Sequence, residues 1–131
     1  MAHGRFVTAI NCMDGRTQEP VAAWMKRQFG ADYVDTITEP GPDRILADGP
    51  PELIESIRRR VKISVRAHGS RVLALVAHDD CAGNLVSRGE HLQQLEKAGN
   101  RILNWDLPGL RLLTVFVDEG WGVEVISDTG A

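Results

Sequence analysis

The sequence is poor in cysteine and has no long apolar run, and each shortage excludes a class of protein. Two cysteines in 131 residues cannot build the disulfide framework of a small secreted domain. The longest apolar runs, such as residues 110–117, are far shorter than the roughly 20 residues that a membrane-spanning helix needs. The N-terminus shows no charged and then apolar leader. We therefore expect a cytoplasmic protein with no membrane partner.

The sequence also has no excess of positive charge. The formal net charge is −3 and the sequence pI is about 5.8, so the chain has no general attraction for a phosphate backbone. The one basic run, Arg58-Arg59-Arg60-Val61-Lys62, fits the solvated face of a helix better than an anion-binding patch. We expect no nucleic-acid partner, and we expect one domain over residues 1–131 because single domains commonly have this length.

Apolar runs and helical periodicity alternate along the chain. Short apolar runs predict strands over residues 5–11, 33–38, 71–77, 110–117 and 123–126. Apolar stripes predict helices over residues 19–29, 51–68 and 87–103, with a long loop from 39 to about 51. This order predicts an α/β fold, in which a small, mostly parallel sheet of four or five strands is flanked by helices and the last strand is antiparallel.

Three potential metal ligands follow two of these strands. Cys12 ends the first strand, His78 ends the strand over residues 71–77, and Cys81 lies three residues later. Ligands of parallel α/β sheets bind outside the carboxyl ends of the strands, and two thiolates with one imidazole suit zinc. Asp14 is either a fourth ligand or an acceptor for a metal-bound water, and pairing with Arg16 would hold it off the metal. The alternative is a pair of buried thiols that act as small apolar side chains.

The segments Cys12-Met13-Asp14-Gly15-Arg16 and His78-x-x-Cys81 resemble the two signature motifs of the beta-class carbonic anhydrases. The similarity extends over most of the chain and is closest to the short, cab-type branch of that family. In the family the first motif follows the first strand of a parallel sheet and the second follows a later central strand. The same order is found here.

The resemblance implies an activity and a set of roles. Zinc would be bound by Cys12, His78 and Cys81, and Asp14 and Arg16 would form the catalytic aspartate–arginine dyad. A zinc hydroxide would attack carbon dioxide to give bicarbonate, which makes the protein a lyase of the carbonate dehydratase type. Gly41 and Asp80 match positions that shape the substrate pocket of the family. The resemblance also implies a homodimer or an assembly of dimers.

Two departures from the family pattern leave alternative functions open. Residues 38–42, Thr-Glu-Pro-Gly-Pro, stand in place of an Arg-Asn-Ala-Gly segment and keep only its glycine, and Ala82 precedes the glycine expected directly after Cys81. One alternative is a hydrolase of a carbon dioxide analogue such as carbonyl sulfide or carbon disulfide. Another is a non-catalytic zinc protein in which Asp14 closes the site. A thiol redox protein is the weakest reading, because the cysteines lack a close Cys-x-x-Cys spacing.

Overall fold

Buried aliphatic runs form the strands of this protein, and amphipathic segments form the helices that cover them. The computed structural model describes residues 3–130. Its elements in chain order are β1 (Phe6–Cys12), α1 (Gly15–Phe29), β2 (Tyr33–Glu39), α2 (Pro42–Asp48), α3 (Pro51–His68), β3 (Val72–His78), α4 (Arg88–Leu103), β4 (Arg111–Val117) and β5 (Val123–Asp128). The predicted α/β class is confirmed.

The five strands form one sheet in the order β2-β1-β3-β4-β5. All neighbouring pairs are parallel except β4 with β5, which is antiparallel. The chain reverses its direction across the sheet between β1 and β3. These two strands pair only from Thr8–Leu73 to Ile10–Leu75, so their carboxyl ends are not held together. The sheet therefore opens where Cys12 and His78 lie, as expected for a binding crevice at a topological switch point.

Both faces of the sheet are covered. Helix α1 packs on one face, where Val21 and Met25 join a buried cluster with alternate residues of β1, β3 and β4. Helices α2, α3 and α4 pack on the other face, around Leu46, Ile57 and Leu95. Strands buried on both faces explain why β3 reads as an unbroken apolar run. Among residues 3–130, no helix is both long and apolar enough to cross a membrane.

The prediction of a long loop between residues 39 and 51 is wrong, because this segment contains helix α2. Pro42 is its first residue, a position where the missing N–H of proline is harmless. Leu46 is fully buried in the core, which gives the helix a tertiary anchor. A seven-residue helix between two proline and glycine clusters is too short to show a helical period in the sequence.

Helix α1 begins at Gly15, four residues earlier than predicted. Asp14 is its N-cap, and its Oδ1 accepts a hydrogen bond from the Arg16 backbone N–H at 2.9 Å. An aspartate at this position satisfies a donor that the first helical turn leaves unpaired. Pro20 consequently lies inside the helix, not in its first turn. The cap fixes the direction in which the Asp14 side chain leaves the end of β1.

Candidate metal centre

The side chains of Cys12, His78 and Cys81 converge at the open end of the sheet. One ligand atom from each residue lies within 4.8 Å of the other two, and the two sulfur atoms are 3.8 Å apart. All three residues are buried, with relative exposures of 3%, 1% and 2%. Strands β1 and β3 supply the first two residues, and the turn after β3 supplies the third. Two thiols and an imidazole at this spacing could hold a zinc ion.

His78 has the arrangement of a metal ligand. Its Nδ1 lies 2.7 Å from the backbone carbonyl of Asp79, which places the proton on Nδ1 and leaves a lone pair on Nε2. That Nε2 atom is buried and has no hydrogen-bond partner among residues 3–130. Leaving a buried polar atom unpaired costs about 1–3 kcal/mol, and coordination of a metal ion would remove this cost. The donor set therefore fits zinc.

The two thiols do not ionise alike. The hydrogen bond from Cys81 lowers the pKa of Cys12 to about 4, against the effect of burial, and His78 and the backbone of Gly41 and Asp14 contribute in the same direction. The contact with Cys12 and burial both raise the pKa of Cys81. Burial is the largest single influence on the pKa of His78 and lowers it, but the contacts with Cys12, the Asp79 backbone and Asp14 together outweigh burial, so that this pKa is raised. Negative charge thus gathers on the Cys12 sulfur, which gives the site a thiolate able to bind a cation.

Arg16 grips the carboxylate of Asp14 through both oxygens. Its Nη2 donates to Oδ2 at 2.7 Å and its Nε donates to Oδ1 at 3.1 Å. The hydrogen bonds from Arg16 lower the pKa of Asp14 to about 2, so the carboxylate is ionised at neutral pH. Asp14 Oδ2 lies 4.0 Å from the unpaired Nε2 of His78. The carboxylate is thus adjacent to the candidate metal ligands while its oxygens are engaged by the guanidinium.

A family model described as "Putative carbonic anhydrase" matches residues 2–127. The chain belongs to this carbonic anhydrase family. No curated protein is significantly similar to it in sequence.

Solved structures of beta-carbonic anhydrases share the fold. Isoform I from Trichomonas vaginalis superposes with a TM-score of 0.62 at 11% identity, over 92% of this chain and 81% of that one. A tetrameric enzyme from Sordaria macrospora gives 0.57 at 16% identity, over 98% and 84%. The carbonic anhydrase of Streptococcus mutans gives 0.56 at 14% identity, over 92% and 81%. The chain is thus a divergent beta-carbonic anhydrase family member whose fold is retained at low identity.

Two glycines allow the loops on either side of the candidate metal centre to approach each other closely. A Cβ on Gly83 would lie 2.6 Å from the carbonyl carbon of Pro40 and 2.8 Å from the Gly41 nitrogen. Gly41 has a φ of +62°, and a Cβ there would lie 2.8 Å from that of Asn84. The segments around Ala82 and in residues 38–42, which depart from the family pattern, therefore still make a close backbone contact with each other. Gly41 reaches the site through its backbone, beside Cys12.

Asp80 lies next to the dyad. Its carboxylate is 3.3 Å from Nη1 of Arg16, and its backbone carbonyl accepts from Nη2 at 3.2 Å. The Asp80 side chain is 70% exposed. Its observed contact is with the Arg16 guanidinium, and its predicted role in the substrate pocket stays a prediction.

Sequence reasoning missed two groups that surround the site. The guanidinium carbon of Arg16 lies 5.0 Å from the ring centre of Trp121, in the turn between β4 and β5. Behind the glycine contact, buried Asp43 accepts from Asn84 at 3.1 Å and lies 2.7 Å from Nδ1 of His91. No sequence spacing joins these residues to the two motifs. The sequence offers only one hint that Asp43 matters, which is its position directly after the proline-rich residues 40–42.

Proposed function

We propose that this protein is a zinc-dependent carbonate dehydratase that converts carbon dioxide and water to bicarbonate. Cys12, His78 and Cys81 would hold the zinc ion, and Asp14 and Arg16 would act beside it. The observation that carries this proposal is the buried Nε2 of His78, which lacks a hydrogen-bond partner in the described part of the chain at the point where two sulfur atoms converge. Zinc bound by three protein ligands supplies a coordinated water whose pKa falls to about 7.

Asp14 would orient the reacting water. Its Oδ2 lies 4.0 Å from His78 Nε2, and its pKa of about 2 keeps it an acceptor over the whole neutral range. A carboxylate that accepts a hydrogen bond from a water directs a lone pair of that water elsewhere, in this case toward the substrate. Asp14 and Arg16 are therefore our candidates for the catalytic pair.

The contacts of Arg16 favour this reaction over a closed, non-catalytic zinc site. A closed site needs Asp14 as the fourth ligand, but both of its oxygens are engaged by the Arg16 fork. A bidentate arginine–carboxylate pair is among the stronger polar contacts in proteins. The fourth position would thus remain free for water. Carbonyl sulfide or carbon disulfide would use the same groups, and measured turnover with each gas distinguishes the substrates.

We further propose a dimer or a dimer-based oligomer that acts in the cytoplasm. Met13 and Leu85 are 62% and 78% exposed, and they lie in the segments that follow Cys12 and Cys81. Large apolar side chains exposed beside a site favour burial against another protein surface, and we propose a second copy as that surface. Cys12 and Cys81 are free thiols, which suits a reducing compartment.

The substitution Asp14→Ala tests the proposal. The variant should bind zinc as the wild type does and lose at least 10–100-fold in carbon dioxide hydration, the usual effect of removing a group that orients a metal site. Stopped-flow hydration and zinc content are measured on the same samples. Asp79→Ala is the matched control, since this exposed carboxylate lies next to His78 and only its backbone contacts the ring. Full activity of Asp14→Ala would refute the assignment.

A further inference from the structure

Trp121 holds an unusual backbone conformation beside the dyad. Its φ is +64°, in a region where residues with a side chain are rarely found. It is flanked by Gly120 and Gly122, which tolerate that region more readily. Asp118 locks the turn: its Oδ1 accepts the backbone N–H of Gly120 and of Gly122, each at 2.9 Å. A strained tryptophan between two glycines indicates that the position of the indole matters.

The indole adds an aromatic contact to the polar groups that already hold the Arg16 guanidinium. In the plane of the guanidinium, Arg16 donates to Asp14 and to Asp80. The Trp121 ring lies 5.0 Å from the guanidinium carbon, within the range of a cation–π contact. The Arg16 side chain is still 49% exposed. Trp121 itself is anchored, because it packs against the buried cluster on the α1 face of the sheet.

We propose that Trp121 is a positioning residue that keeps the Arg16 guanidinium on Asp14 and so keeps Asp14 off the metal ligands. This inference rests on the proposed function only for its catalytic consequence. The contact itself is a property of the folded chain. Without the indole, the half-exposed guanidinium gains a further face open to water, and its fork with Asp14 should open more often because solvent weakens ion pairs. Asp14, whose Oδ2 is 4.0 Å from His78 Nε2, would then be free to move toward the metal.

Nuclear magnetic resonance of the arginine Nε–H groups tests the contact without reference to activity. In the zinc-loaded wild type, the Arg16 signal, assigned by its loss in Arg16→Lys, should be shifted by the ring current and exchange slowly with water. Trp121→Phe keeps a ring and should keep most of the shift. Trp121→Gly suits the positive φ, so the turn should still form, and the signal should move to the random-coil position and exchange fast. Trp24→Leu, which alters an indole next to Phe29, should leave the signal unchanged.

The outcomes separate this inference from the proposed function. An Arg16 signal that is unshifted in the wild type, or unchanged in Trp121→Gly, would overturn the positioning role. Equal loss in the Phe and Gly variants would overturn it too, because phenylalanine also offers a ring face. If the wild type hydrates carbon dioxide, Trp121→Gly should lose about 10–100-fold in kcat with zinc content unchanged, and Trp121→Phe should retain most of it. A wild type without hydration would refute the proposed function and leave the Arg16 result to stand alone.

Discussion

At the residue scale, this protein contains two bidentate aspartate–arginine pairs, here called forks, that have the same geometry but different surroundings. Asp14 is gripped by Arg16, and Asp128 is gripped by Arg111 at 3.0 and 2.8 Å. In each fork the guanidinium lowers the pKa of the carboxyl, because it stabilises the ionised form. Only the first fork lies beside the candidate metal ligands. The second joins β4 to β5 and serves stability.

The second fork gives a prediction about pH. The pKa of Asp128 is lower in the folded chain than in the unfolded one, so its stabilising contribution is complete above the unfolded pKa of about 4. It is lost as the pH falls through the folded pKa. Asp128→Asn should therefore lower the Tm at pH 7, and the difference from wild type should shrink as the pH falls below about 4. Thermal unfolding followed by circular dichroism measures both values.

Asp48→Asn is the control for that experiment. Asp48 pairs with Lys97 at 2.8 Å, but both side chains are more than half exposed, and such pairs contribute only about 0–1 kcal/mol. The Tm of the Asp48→Asn variant should therefore differ less from that of the wild type than the Tm of Asp128→Asn does. A difference for Asp128→Asn that is the same at every pH would contradict the ionic origin of the effect.

At the scale of elements, two loops that touch through their backbones surround the candidate metal centre. The loop that leads into α2 carries Gly41, and the loop after β3 carries Cys81 and Gly83. The space that a Cβ on Gly83 would need is filled by backbone atoms of Pro40 and Gly41. Backbone cannot move aside as a flexible side chain can, so an added methyl group must separate the loops.

Gly83→Ala should therefore destabilise the fold by about 1–3 kcal/mol, as overpacked substitutions do, and weaken zinc binding through displacement of Cys81. Chemical denaturation and competition with a chelator measure the two effects. Gly89→Ala is the control: a Cβ on Gly89 would meet only Ser87 Oγ, at 3.9 Å, in the first turn of helix α4, so this variant should keep the stability of the wild type. Equal stability and zinc affinity of the two variants would show that the loop contact is unimportant.

Much of the element structure could be predicted from the sequence, for physical reasons that also explain the errors. Strands buried on both faces and long amphipathic helices leave periodic signals, which is why β3, α3 and α4 lie close to their predicted bounds. Helix α2 leaves none, because its stability comes from Leu46 in the core and not from length. Asp14 was read as a site residue, so its second role as the cap of α1 was overlooked.

In the candidate site, too, some residues could be predicted from the sequence and others could not. Cys12, His78 and Cys81 could be predicted because each lies at the end of a buried strand or just after it, and parallel strand ends meet at one edge of a sheet. Trp121 and the buried Asp43 could not, because their neighbours are far away in sequence. Contacts between distant segments depend on the tertiary structure and leave no local pattern.

At the scale of the whole molecule, two exposed apolar side chains lie close in sequence to Cys12 and Cys81. They are Met13 and Leu85, and both belong to the dimer surface that we propose. If a second copy covers it, Leu85→Glu should place a charge in an apolar interface and shift the assembly toward monomer. Sedimentation velocity over a range of protein concentrations measures this. Leu103→Glu is the control, since Leu103 is 56% exposed at the end of α4. A Leu85→Glu variant with the wild-type sedimentation coefficient would contradict the proposed interface.

The central claim is that Cys12, His78 and Cys81 form a zinc centre, and zinc content per chain tests it most directly. Protein purified without added metal is analysed by atomic emission, for the wild type and for Cys12→Ser. The account predicts about one zinc per wild-type chain, because three deprotonated or neutral donors give structural and catalytic zinc sites their affinity, and a marked loss in the variant. A wild type without zinc, or a Cys12→Ser variant that retains it fully, would contradict the account.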